Sequence, residues 1–192
     1  MTKKVGKPKL QVEYELPPVI ASLLSGWITI FGSAATVSGL LASVETTLLV
    51  LYKTPDVAVA SSERSYKAIL VLTYTALLFS ISSTFSSLIL ADTFAELPAR
   101  AAQRFGELPE KGAIVGDSWT ILRLYGLRPS VSWIMLHWIS SLLIACFAAV
   151  AQLVLFAFNN EPPAVKGPVT AVAIIALFPV IYFTVNHIFV RD

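Results

Sequence analysis

The chain has 192 residues, of which 56% are hydrophobic and only 14% charged, with a net charge of +2 and a mean hydropathy of +0.73. A soluble domain of this length has too little interior for so much apolar surface, which excludes an ordinary globular fold in water. The small basic excess does not point to nucleic acid, and a lone cysteine, Cys146, excludes an intrachain disulfide.

The charges are segregated. No Asp, Glu, Lys or Arg occurs in residues 16–44, 68–91, 129–160 or 167–190. Each gap exceeds the roughly 20 residues that carry a helix across a ~30 Å hydrocarbon layer. Barrel strands would alternate with period two, and these runs do not, so helices are left as the way to satisfy the backbone in lipid.

In chain order, residues 1–18 form a basic segment with Lys3, Lys4, Lys7 and Lys9, read as cytoplasmic and leading into an uncleaved signal anchor. The apolar run 19–52 is too long for one tidy span and too short for two with a turn, so it reads as one long helix, crossing at about 19–50. "TPDVAVASSER" is a short external loop, followed by a span at 68–91 that carries "SISSTFSS". Residues 92–130 form a long, partly helical cytoplasmic loop. In it Phe94, Leu97, Ala101 and Phe105 fall at helical spacing, with Pro98 interrupting. Asp117 and Gly126 bracket a second short helix as N-cap and terminator. Its Trp119 and Leu122 either dip into headgroups, with Arg123 against anionic lipid, or pack under the bundle. Spans at 131–158 and 168–190 follow, joined by "NNEPPAVKG".

Four spans put ten Lys and Arg inside and four outside, whereas splitting the first run gives eight against six. The positive-inside rule therefore selects four spans with both termini cytoplasmic. The expected fold is all-α: a polytopic four-helix transmembrane bundle, with residues 19–192 as a single transmembrane domain. Tyr52, Tyr66, Trp133 and Trp138 lie near the boundaries, where interfacial aromatic anchors belong.

Few residues carry chemistry. Ser25, Thr29, Gly32, Thr36, Gly39 and Ser43 recur at spacings of 4, 3, 4, 3 and 4, one small-residue stripe along the first helix. Such a stripe lets helices approach closely, within one chain or between subunits. Ser141, Ala145 and Ala149 make a shorter stripe on the third span. Glu45 is off the first stripe. Counting back from it by 4, 4, 3 and 4 gives Leu41, Val37, Ala34 and Ile30, an apolar line ending in a carboxylate. Near the outer end of a span that carboxylate is cheap at a water-facing rim, the favoured reading; a symmetric ring of such groups would bind a metal cation. His137, Asn186 and His187 lie near the inner ends of the third and fourth spans, a candidate inner-face polar site. Two histidines without Cys or carboxylate make a poor metal site, and each reads more simply as an amphipathic interfacial residue. Neither HExxH, GxSxG nor a Gly-rich phosphate loop occurs, so neither enzymatic activity nor a cofactor is expected.

Two resemblances bear on these residues. "SLLSGW" followed by the lone Glu45, and a last span "ALFPVIYFTVNHIFVR" with Pro179 midway, resemble the Orai calcium channels, which have four spans and both termini inside. The resemblance implies that Glu45 occupies the place of a selectivity-filter glutamate. Where that family lines its inner pore with basic residues, this chain has Ile30 and Gly26. "LLFSISSTFSSLIL" and "LRLYGLRPSVSWIMLHW" resemble uncharacterised four-span membrane proteins of mushroom-forming fungi, a likeness that implies no activity. The expected function is that of a multi-pass integral membrane protein without enzymatic activity. It would act through helix contacts in the lipid bilayer as a homo-oligomer or a scaffold for another membrane protein. A cation channel with Glu45 at its outer mouth is the alternative.

Overall fold

The computed structural model describes residues 15–54, 62–104 and 117–189. All regular structure among them is helical: α1 (Pro18–Tyr52), α2 (Glu63–Ala95), α3 (Leu97–Gln103), α4 (Ser118–Leu124), α5 (Val131–Asn160) and α6 (Pro163–Phe189). Three stretches are long and apolar enough to cross a membrane: α1, the α2–α3 stretch Glu63–Gln103, and α5. The apolar part of α6 over Pro163–Pro179 is shorter.

The helix ends follow local chemistry. Pro18 opens α1, where a missing backbone donor costs nothing. Ser62 precedes α2 and its hydroxyl accepts the Ser65 amide at 3.3 Å, an N-cap. Glu96 separates α2 from α3, so the break falls just before Pro98, as the sequence suggests. Asp117 caps α4 by accepting from the Thr120 amide at 3.0 Å. Gly126 ends that helix with φ 108°, while the Gly126 and Leu127 amides return to the Arg123 and Leu122 carbonyls.

The buried positions of the long helices keep a seven-residue repeat. On α1 these are Leu24, Phe31, Ser38, Glu45 and Tyr52, with Ile20 one turn before them. On α2 they are Ile69, Thr73, Ala76, Ser80, Ser83, Ser87, Leu90 and Phe94, alternating by four and three, with Ser86 buried beside them. That spacing holds a narrow seam on one side of each helix, the pattern of left-handed helix packing.

The chain divides into two compact units. The first comprises Met1–Val37 and Thr84–Trp138, and the second Ser38–Ser83 and Ile139–Asp192. Aromatic rings build the first unit's core. Phe31 meets Phe94 at 5.1 Å and Trp138 at 5.3 Å between centroids, both edge-on, and Trp27 stacks on Phe31 at 5.6 Å. Trp119 of α4 lies 5.5 Å from Trp27, and Leu97, Ala101 and Leu122 are fully buried in the same core. Of the two readings for Trp119 and Leu122, the packed one therefore holds. Two of the four expected interfacial anchors also turn inward: Trp138 joins this core, and Tyr52 is buried in the second unit against Phe156. Apolar partners at seam positions outcompete the headgroup region for those rings. Trp133 does remain exposed. Phe105 lies outside the described residues.

The second unit is built differently. Its apolar core is small, Ala76, Ala148 and Ala149 with Leu41 and Leu72 against them. Small side chains let backbones come close, and polar seam residues fill the remaining positions. On α6 none of the described side chains is buried; Lys166, Val169, Thr170, Ala173 and Leu177 are half-buried along one face.

Candidate functional site

The site lies in the second unit, where α1, α2 and α5 supply polar seam residues. Contacts fix the helix directions. Ser38 donates to Ser83 at 3.1 Å and Lys53 to the Tyr74 hydroxyl at 2.9 Å, so α1 and α2 run antiparallel here. Glu45 pairs with Gln152 and Tyr52 with Phe156, so α1 and α5 run parallel.

Ser38, Glu45 and Tyr52 follow one another by seven on α1, two turns apart on one seam. Each meets a different partner. The Ser38 hydroxyl bonds to α2, the Glu45 carboxylate accepts from the Gln152 side-chain amide of α5, and the Tyr52 ring lies 5.1 Å from that of Phe156. Glu45 is 1% exposed and Gln152 0%. The pairing is incomplete: neither Gln152 Oε1 nor Tyr52 Oη has a hydrogen-bond partner. Among the described residues no Lys, Arg or His forms an ion pair with Glu45. Lys53, one residue beyond Tyr52, is committed to Tyr74, over whose ring it sits 5.4 Å from the centroid.

This geometry corrects the water-facing rim. The apolar line counted back from Glu45 is not its true face, since Val37 and Ile30 are exposed. Its true neighbours are Leu41, Ser38, Ala34 and Phe31, reached by alternating four and three. At those steps the seam turns Glu45 toward α5, where Gln152 supplies a donor that water would supply at a rim.

The small stripe shows the opposite. Ser25, Thr29, Gly32, Thr36 and Ser43 are exposed and Gly39 half-exposed. A Cβ built on Gly32 or Gly39 would meet nothing within 4 Å. Thr29, Thr36 and Ser43 donate to carbonyls one turn back, Ser25, Gly32 and Gly39, so their hydroxyls are satisfied without any neighbour. Among the described residues, therefore, this stripe does not pack within the chain, contrary to the simpler expectation. It lies roughly 150° round the helix from the seam that packs, by the 100° turned per residue. The shorter stripe of Ser141, Ala145 and Ala149 on α5 is buried and does pack within the chain.

Of the inner-face residues, His137 is exposed on α5. The side chains of Asn186 and His187 lie outside the described residues. Among the described residues no three of His, Cys, Asp and Glu converge to hold a metal. Gln152 went unnoticed in the sequence. Its signal was available, as one of two amide side chains in the third apolar run before the terminal Asn160. In the first unit Arg100, Arg104 and Arg128 line a shallow cavity with Glu96, which pairs with Arg100.

No family model matches the chain, and neither a curated protein nor a solved structure matches it. Its class rests on physical grounds: a helical, multi-pass membrane protein by length and composition, in contact with the lipid bilayer.

Proposed function

We propose that this is a membrane protein without enzymatic activity that acts through helix contacts, as a homo-oligomer or as a scaffold for another membrane protein. It crosses the bilayer four times, α6 being the last crossing, with both termini cytoplasmic. The arginines around the first unit's cavity then lie on the inside, where the positive-inside rule puts them.

The observation that carries this reading is the outward stripe of α1. Six small residues keep a packing register over Ser25 to Ser43, yet none of the described residues comes within 4 Å of a Cβ built at Gly32 or Gly39. In lipid, helix association draws on close backbone approach at small residues, and a second helix with a matching surface can use this one. Gly32→Leu and Gly39→Leu test it by oligomer size in mild detergent and in bilayers. Weakened association is expected from either; unchanged size in both removes the basis of the proposal.

The alternative, a cation channel of Orai-like topology, needs Glu45 turned toward a symmetry axis. The bond from Gln152 of the same chain and the burial of Glu45 support the first reading over this one.

A further inference from the structure

We propose that Glu45 and Gln152 form a buried proton-binding site, in which Glu45 holds a proton as the neutral carboxylic acid and its O–H is donated to the Gln152 carbonyl. A carboxylic acid and a primary amide pair reciprocally, each giving one hydrogen bond and accepting one. Half of that pair is present, since Gln152 Nε2 donates to Glu45 Oε2. The other half lacks a donor: Gln152 Oε1 is buried without a partner. Water cannot serve it at the surface, because Gln152 is fully buried. A carboxyl proton on Glu45 would satisfy Gln152 Oε1 and remove the charge from Glu45 together.

Among the described residues no base neutralises the group. The nearest titratable side chains along the chain are Tyr52 of α1, two turns on, with its hydroxyl unpartnered, and Lys53 just past the end of α1, bonded to Tyr74. On α2 Glu63 and Lys67 pair with each other in the open, and Arg64, Tyr66 and Tyr74 complete its titratable set in this unit. In the part of α5 that belongs to this unit there is Cys146, and among the described side chains of α6 Lys166 and Tyr182. None of these bases forms an ion pair with Glu45. An ionised carboxylate would hold a full charge inside a helix bundle with one neutral donor, a poorly compensated arrangement. The exchange is a plain proton transfer. Hydronium gives its proton to the carboxylate and leaves as water, and release reverses this with no other bond changed.

Infrared spectroscopy of the full chain in lipid bilayers tests the site, with Glu45→Gln as reference. That variant keeps the side-chain shape and can still hydrogen-bond Gln152, so the fold is retained. The expected difference spectrum at neutral pH contains a carboxylic-acid carbonyl band assigned to Glu45. In Gln152→Leu that band is expected to move to higher frequency as the acid loses its partner. A difference spectrum showing only carboxylate bands at neutral pH overturns the proposal. Loss of the acid band on adding sodium at fixed pH overturns it in favour of a metal-cation site. A band that does not move in Gln152→Leu overturns the pairing with the amide.

Discussion

Gln152 of α5 donates its side-chain amide to Glu45 of α1 across 107 positions of sequence, and both side chains are shut away from solvent. In a unit whose clustered apolar core is small, this bond and the Ser38–Ser83 bond select one register among several that small residues would allow. Removing either partner leaves a buried polar group alone. Glu45→Ala is expected to destabilise the protein by about 1–3 kcal/mol, the usual cost of an orphaned buried donor. Glu45→Gln should lose less. A double-mutant cycle with Gln152→Ala, read by unfolding in mixed micelles, should return a coupling of roughly 0.6–1.7 kcal/mol. Zero coupling would mean the two side chains do not meet.

How far the sequence reveals this is uneven. The charge gaps outline the helices, because a lysine in lipid is costly wherever it sits. Asp117, Pro98 and Gly126 mark the short helices, because caps and breaks depend on a few neighbouring atoms. Which face of α1 turns inward is harder to read. Ile30 and Val37 are as apolar as Phe31 and Leu41, so hydrophobicity cannot tell a lipid-facing side from a packed one. A strict alternation of four and three back from Glu45 finds the seam, and one step of four in place of three leaves it. Gln152 escaped notice for a related reason, since its partner is known only once α1 and α5 lie side by side.

The aromatic core of the first unit is its mechanical centre. Phe31 touches Trp27, Phe94 and Trp138 and is fully buried. Phe31→Ala should cost about 3–5 kcal/mol, as for large-to-small changes in well-packed cores. Val37→Ala, on the exposed side of the same helix, should change stability little. Thermal unfolding of the two variants in one detergent separates them, and similar losses would contradict the assigned faces.

Gly126 is the one glycine among those described whose backbone needs its missing side chain. Its φ is 108°, and a Cβ there would come within 3.3 Å of Arg100 Cβ. Gly126→Ala should therefore cost about 1–3 kcal/mol, as for a strained left-handed residue. Gly32→Ala has open space and should leave the monomer's stability unchanged, which a paired unfolding experiment checks.

A buried Glu45 also makes a statement about ion flow. Protein in liposomes should show no cation flux that Glu45→Gln abolishes, because the carboxylate is bonded to Gln152 of its own chain. Flux lost specifically in that variant would reverse the orientation of α1.

That orientation is what the rest depends on, and cross-linking of single cysteines reads it directly. In a Cys146→Ser background, Gly39→Cys and Glu45→Cys are each treated in bilayers with a short thiol-to-thiol cross-linker and sized on a denaturing gel. Dimers from Gly39→Cys and none from Glu45→Cys are expected. Dimers from Glu45→Cys with none from Gly39→Cys would put the wrong side of α1 outward and contradict the account.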